Sequence, residues 1–294
     1  MLSAFHVIRI MMLIVTWPCG TILNASIIAV YLSDWKKGVK LGECDWISLS
    51  MGCNNLFLQS VITFGLAFLP FGLYLPFAPK VSIAFGTVLC FSVTLSFWLT
   101  AGLSICYCLR LVNLSHTIFI QLKRRLSCTL TLFLLWSVAI SFIVTIPMNW
   151  TSGTPTDHNT TTMYHPISNS VIFMILNAVF GVFLPSMTTF ICILLSLTSL
   201  LRHIWRMKQN TQFGSPQLKN LISACRTMFL LMALNVLFFL VILSSTLPHY
   251  KGQSIWEAVI NACIMLNPSG QAIVLIFGNS KLFSAWSKTL IPQG

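Results

Sequence analysis

Seven long stretches of the chain carry no charged residue: Ile10 to Ser33, Trp46 to Pro79, Val81 to Leu109, Leu126 to Thr156, His158 to Leu201, Thr227 to Tyr250 and Ala258 to Ser280. Each exceeds the roughly 18 to 20 apolar residues a helix needs to cross the hydrocarbon of a bilayer. None shows the strict apolar and polar alternation of a barrel strand, so the pattern predicts seven membrane-spanning helices. The two longest runs each hide a loop. Pro70 and, in the FGLYLPFAPK that follows it, Pro76 and Pro79 read as a turn after a helix ending near Leu69. The polar, proline-punctuated TSGTPTDHNTTTMYHP delays the fifth helix until about Asn169. The first run is too long for a signal-peptide core and lacks a small-x-small cleavage site, so it reads as a retained helix. One unit, 1–294, with a short tail at 278–294, accounts for the whole pattern.

Composition agrees: 56% of residues are hydrophobic and 7% charged, against about 25% charged in an ordinary soluble domain. The cations then orient the spans. One set of alternating loops holds Lys36, Lys37, Lys40, Arg110, Lys123, Arg124, Arg125, Arg202, Arg206, Lys208, Lys219, Arg226, Lys281 and Lys288; the other holds only Arg9, Lys80 and Lys251. The positive-inside rule puts the N-terminus outside and the C-terminus in the cytoplasm. The net charge of +12 would suggest nucleic acid on a soluble domain. Clustered at one membrane face, it reads instead as topology plus contact with anionic lipid, and no nucleic-acid partner is expected.

Polar chemistry is sparse enough to exclude several functions. A pump or ion-coupled transporter needs intramembrane ionisable relays, and the helix middles have none. Five Asp and Glu in all leave nothing from which to assemble a hydrolase or metal centre, so no catalytic residue, metal or cofactor is expected. An opsin would need a lysine inside helix seven, and an amine receptor an acid in helix three. The ten cysteines avoid the outer loops and metal-site spacings, which reads as free, packing thiols without a disulfide framework. The segment Met148 to Ser168 lacks the cysteine that ties most rhodopsin-like receptors to the outer end of helix three. Of four Asn-x-Ser/Thr triplets, those at Asn159 and Asn149 lie in the second outer loop and are candidate glycosylation sites. A receptor remains.

The inner half of helix three, SFWLTAGLSICYCLRLVNLSHTIFIQLKRR, makes that specific. Trp98, Leu103, Ser104, Tyr107, Leu109, Arg110, Asn113, Ser115 and His116 resemble the signature of the type 2 taste receptors, the bitter receptors. LPSMTTFICILLSLTSLLRHIWRMKQ resembles that family's helix five through Pro185, Ser196, Leu197, Ser199, Leu201, Arg202, His203 and Met207. NPSGQAIVLIFGNSKL resembles its helix seven through Pro268, Ser269, Ile276, Gly278, Asn279, Lys281 and Leu282, and Gly20 and Asn24 fit its helix-one motif. The resemblance covers almost the whole chain. Departures mark a divergent member: Asn54 and Asn55 stand where the family usually has Ser-Arg, and Gln271 where it usually has histidine.

The resemblance implies an all-α, seven-helix G-protein-coupled receptor of the plasma membrane. Its agonists would be small, mostly apolar bitter compounds, and its partner a heterotrimeric G protein of the gustducin and inhibitory class. Family register places Leu89, Val93, Thr94, Phe97, Phe238, Ile242, Glu257, Asn261 and Ile264 around the ligand, in the outer half of the bundle. Leu89 and Val93 replace a usual Trp and Asn, so the site should be greasier. Arg110, His116, Lys123, Arg124, Arg125, Arg202, His203, Arg206 and Lys208 would face the G protein. The tail GNSKLFSAWSKTLIPQG reads as an amphipathic helix with Leu282, Phe283, Trp286 and Leu290 toward lipid. A vomeronasal-type pheromone receptor, and outside receptors a transporter or channel subunit, stay as alternatives.

Overall fold

The computed structural model describes residues 4–68, 78–112, 121, 126–150, 175–209, 216–246 and 254–290. Seven long helices run through them: α1 (Ala4–Lys36), α2 (Glu43–Phe68), α3 (Ala78–Leu111), α4 (Leu126–Trp150), α5 (Leu184–Gln209), α6 (Pro216–Thr246) and α7 (Ser254–Gly278). A short α8 (Ser280–Leu290) follows, and a π-helical stretch, Asn177–Phe183, leads into α5. Each begins or ends within a few residues of a charge-free run. The one local revision is Pro79, expected in a turn. It lies in the first turn of α3, where a proline's missing N–H has no partner to lose.

Six of these helices are long and apolar enough to cross a membrane. The exception, α2, carries Glu43, Asp45, Asn54, Asn55 and Gln59, and it packs between α1, α3 and α7. Its amides therefore face protein rather than lipid, the arrangement in which a polar helix is tolerated. Central to the bundle is α3, which touches α2, α4, α5 and α6. Large apolar side chains such as Trp136, Phe142, Phe183 and Phe229 stay exposed around the rim, as a lipid-facing surface requires.

Two glycines carry backbone or steric duties. Gly38 turns the chain between α1 and α2 at a φ of 76°, the left-handed region where a Cβ is unfavourable. At Gly278 the helices α6 and α7 come so close that an added Cβ would fall 2.8 Å from Thr227 Cγ2 and 3.0 Å from its Cβ. Gly278→Ala is expected to lower stability by about 1–3 kcal/mol through overpacking, read as loss of surface expression and of thermal midpoint in detergent. An unchanged midpoint would show that α6 shifts freely against α7.

The end of the bundle bearing most cations, called the basic end below, is not merely a row of free charges. Arg110 pairs with Glu43 at 2.8 Å, joining α3 to α2. Lys281 reaches Asp34 at 2.8 Å and Asp45 at 3.5 Å, joining α8 to α1 and α2. Its ammonium also lies over the Tyr31 ring, 5.3 Å from the centroid. Burial alone would push the Lys281 pKa down, but hydrogen bonding and attraction to Asp34 and Asp45 hold it above the usual lysine range. Asn279 donates to Tyr31 Oη, and its Oδ1 caps α8 by accepting from the Lys281 N–H.

Two expectations are overturned here. Leu282 and Trp286 were expected toward lipid, but Leu282 is buried and Trp286 half-buried against the bundle core. The Asn279 and Lys281 ties fold α8 back onto α7 and α1, so most of its apolar face is used internally; Phe283 alone of the three stays exposed. The Leu290 side chain lies outside the described residues. The cysteines are not all free either: Cys44 and Cys106 form a disulfide between the first turn of α2 and the far half of α3. Their separation of 62 residues made the pairing invisible to spacing, because only the docking of α2 on α3 brings them together.

Candidate functional site

At the end of the bundle away from the basic end, Leu58 and Ile62 of α2, Val93 and Phe97 of α3, Phe238 of α6 and Met265 of α7 form one buried apolar cluster. Leu89, Val182, Phe239, Ile242 and Ile264 pack against it. Six residues expected around the ligand are thus brought together: Leu89, Val93, Phe97, Phe238, Ile242 and Ile264. Helical spacing explains it, since Leu89, Val93 and Phe97 recur every fourth residue and share one face of α3. Phe97 meets Phe239 edge to face, with ring centroids 6.4 Å apart. Asn261 is half-buried one turn from Met265. Glu257 belongs to the first turn of α7, and its side chain lies outside the described residues.

Thr94, the remaining candidate, turns to a polar partner. Its hydroxyl donates to Asn177 Oδ1 at 3.3 Å, in the π-helical stretch. A π turn displaces carbonyls from the regular ladder and often marks a functional position. Here Trp98 satisfies one of them, donating its indole N–H to the Phe180 carbonyl at 3.1 Å. The tryptophan singled out in the sequence motif therefore holds the start of α5 against α3. Asn177 and Phe180 were not foreseen, because nothing in the spacing announces a π turn.

A buried polar knot adjoins the apolar cluster, with its Ser96 set between the cluster's Val93 and Phe97 along α3. Gln271 of α7 donates through Nε2 toward Ser96 Oγ (3.0 Å), Asn235 Oδ1 (2.8 Å) and Asn267 Oδ1 (2.9 Å). An amide has only two hydrogens for these three acceptors, so one is shared or alternates. Ser96 can return a bond to Gln271 Oε1 or Asn235 Oδ1, each at 3.1 Å. Asn235 closes the knot by donating to Thr100 Oγ1 at 2.8 Å. Five side chains that are nearly dry thus tie α3, α6 and α7 together beside the cluster. In so apolar an interior each amide costs several kcal/mol if left unbonded, on the order of 2–7. Single amides inside otherwise apolar runs were the available signal in the sequence.

The sites read for coupling cluster less completely in what is described. Arg110 sits at the basic end, engaged with Glu43. Arg202 is exposed on α5. His203, Arg206 and Lys208 are on the last turns of α5, but their side chains, like His116, Lys123, Arg124 and Arg125, lie outside the described residues. Asn159 does too, as does the Asn149 side chain. Between α3, α5 and α6 toward the basic end, Cys108, Val112, Cys192, Ile193, Leu221, Cys225 and Met228 form a second apolar cluster.

A lipid-facing rim, a central α3, an apolar site at one end and a charge-bearing opposite end define a multi-pass membrane protein of the G-protein-coupled receptor class. The family model described as Taste receptor protein (TAS2R) matches residues 1–293. Similar proteins include Taste receptor type 2 member 40 of Gallus gallus, 30% identical over 286 residues, covering 92% of this chain and 90% of that protein. Taste receptor type 2 member 9 of Homo sapiens is 29% identical over 296 residues, covering 98% and 95%. Member 4 of Gorilla gorilla gorilla is 28% identical over 307 residues, covering 99% of each. The chain belongs to the taste receptor type 2 family, the bitter taste receptors, whose place is the plasma membrane.

Proposed function

We propose that the chain is a sensory receptor that binds small, mostly apolar bitter compounds at the Val93, Phe97 and Phe238 cluster and activates a heterotrimeric G protein of the gustducin and inhibitory class. The observation that carries this reading is the position of that apolar cluster beside the Ser96, Asn235 and Gln271 knot. A ligand wedged among Leu89, Phe97, Phe238 and Ile264 must move α3, α6 or α7, and those are the helices the knot joins. Ligand shifts the balance only by its differential affinity for the two arrangements. The basic end then faces the cytoplasm, in keeping with the positive-inside rule. There Lys123, Arg124, Arg125, Arg202, Arg206 and Lys208 meet the G protein, with His116 and His203 at the helix ends, and the remaining cations meet anionic lipid. Asn159 and Asn149 would carry glycan on the outside.

Orientation is tested with tags. A C-terminal tag is expected to be reached only in permeabilised cells and an N-terminal tag in intact ones; labelling of the C-terminal tag in intact cells would overturn the arrangement.

Selectivity turns on Glu257. Among five acids, only Asp157 and Glu257 fall on the outer side, and Glu257 stands one turn from Asn261 at the mouth of the bundle. A carboxylate there gains from a cationic ligand nitrogen that replaces lost water. Glu257→Gln is expected to weaken amine-bearing agonists about tenfold or more, as loss of a charge-assisted bond implies, and to leave neutral agonists nearly unchanged. Asn261→Ala or Phe238→Ala should weaken both classes. Equal potency of a cationic agonist on wild type and Glu257→Gln, at matched surface expression, would remove Glu257 from the site.

A further inference from the structure

The Cys44–Cys106 bond lies at the basic end, outside both the apolar ligand cluster and the polar knot. Cys44 is the second residue of α2, which begins at Glu43, and Cys106 stands one helical turn before Arg110 on α3. The bond is therefore close to two helix ends, at the membrane face that the positive-inside rule turns to the cytoplasm. Cytosolic small thiols keep most cysteines reduced, and the disulfides that form there are mainly transient, redox-responsive links.

Its cover is thin and polar. Cys44 and Cys106 are 4% and 0% exposed, so a small thiol reaches the bond only when the chain over it opens. That chain is the start of α2, whose first N–H groups have no helical partners. The Gly42 N–H donates to Asp45 Oδ2 at 3.1 Å, and the Asp45 and Trp46 N–H groups donate to the Gly42 carbonyl. Arg110 lies across this turn, with Nη2 2.8 Å from Glu43 and 3.0 Å from where a Cβ on Gly42 would stand. Lys281 reaches Asp45 from α8. Partly exposed charge pairs of this kind hold weakly in water, so the first turn of α2 can open locally while the bundle stays folded. Cys106, by contrast, is inside a continuous helix and belongs to the core cluster of Leu99 and Leu103. Opening therefore presents the Cys44 sulfur.

We propose that Cys44 and Cys106 are a thiol–disulfide exchange site for small cytosolic thiols of the glutathione class. This rests on the cytoplasmic placement of the basic end. In the reductive direction a thiolate attacks Cys44 Sγ, the S–S bond breaks, and its electron pair leaves on Cys106 Sγ, which takes up a proton. A second thiolate attacks the small-molecule sulfur of the mixed disulfide and releases Cys44, which is protonated in turn. Two small thiols thus give up two electrons and leave as their own disulfide, and the protein bond becomes two thiols. The oxidised small disulfide drives the reverse. Oxidised, α2 is tied covalently to α3; reduced, that contact keeps only apolar packing and the Arg110–Glu43 pair. Tyr107, next to Cys106, packs against both this core cluster and the Cys108, Cys192 and Met228 cluster, so the site borders the contact between α3, α5 and α6.

Differential alkylation with peptide mass spectrometry of the full-length receptor measures the bond. In purified protein equilibrated with mixtures of reduced and oxidised glutathione, the disulfide fraction should change at least fivefold across the cytosolic range. A fraction that does not move, whether all disulfide or all dithiol, would overturn the proposal and leave the orientation untouched. Orientation has its own arm. In cells first oxidised with diamide, a membrane-impermeant phosphine should cleave the bond only after permeabilisation. Cleavage in intact cells would put the basic end outside and remove the premise instead. The order of attack is read from single variants: oxidised glutathione should leave an adduct on Cys44 in Cys106→Ser and none on Cys106 in Cys44→Ser. Arg110→Ala should speed reduction about two- to fivefold, because the first turn of α2 then opens more often. The opposite adduct pattern, or an unchanged rate, would contradict entry through that turn.

Discussion

Gln271→Leu is expected to destabilise the receptor by about 2–3 kcal/mol and to cut surface expression and agonist response together. The side chain is fully buried and bonds to three helices' worth of partners: Ser96, Asn235 and Asn267. Hydrogen bonds between membrane helices average only about 0.6 kcal/mol when measured singly, so one bond would not carry this figure. Leucine instead removes the common partner of several groups at once, and the asymmetry between a made bond and an orphaned one governs the cost. Gln271→His supplies the internal comparison. A ring nitrogen keeps one donor and one acceptor, so histidine, the residue the family usually has here, should lose less than half as much. Thermal unfolding of the purified variants in detergent decides it. Equal loss in both would mean that volume, not bonding, is what position 271 supplies.

The next largest effect is expected at the basic end. Replacing Arg124 and Arg125, or Arg202 and Arg206, by Ala should reduce G-protein activation per surface receptor by tenfold or more, since charge-assisted contacts contribute about 1.5–3 kcal/mol each. Arg110→Ala should behave differently. Its guanidinium already holds Glu43 at 2.8 Å, and that pair is substantially exposed, so its net worth is small, about 0–1 kcal/mol. The Cys44–Cys106 disulfide still holds α2 to α3 beside that pair, so basal and agonist-evoked exchange per surface receptor should stay near the wild-type values. Nucleotide exchange on the G protein, normalised to surface receptor, measures both. Unchanged exchange in both arginine-pair variants would confine those cations to setting topology.

The architecture was legible in the sequence because membrane helices declare themselves by the absence of charge, a property of single residues summed over a run. Helix ends fell where Lys36, Arg110 and Gly278 stand. Family register named Leu89, Val93, Phe97, Phe238, Ile242 and Ile264 as ligand neighbours, and these six meet in one apolar cluster. What escaped was pairwise. Cys44 finds Cys106, Lys281 finds Asp34 and Asp45, and Leu282 turns inward because Asn279 and Lys281 fold α8 back. None of these follows from spacing, since each partner lies on another helix whose rotation only packing determines. The π turn at Asn177 and the Trp98 bond to Phe180 belong to the same group. The replacements at Asn54, Asn55 and Gln271 were visible as departures, but their consequence was not. Gln271 completes a knot, whereas the buried Asn55 amide has no hydrogen-bond partner within the protein.

The most direct test of the central claim is G-protein activation by a library of bitter compounds in cells that express the receptor with an inhibitory-class α subunit. At least one compound should evoke nucleotide exchange and calcium release, Phe97→Ala or Phe238→Ala should abolish that response at matched surface expression, and neither the compound nor ions should cross the membrane through the protein. Flux through the protein without nucleotide exchange would contradict a receptor and point to a transporter or channel subunit.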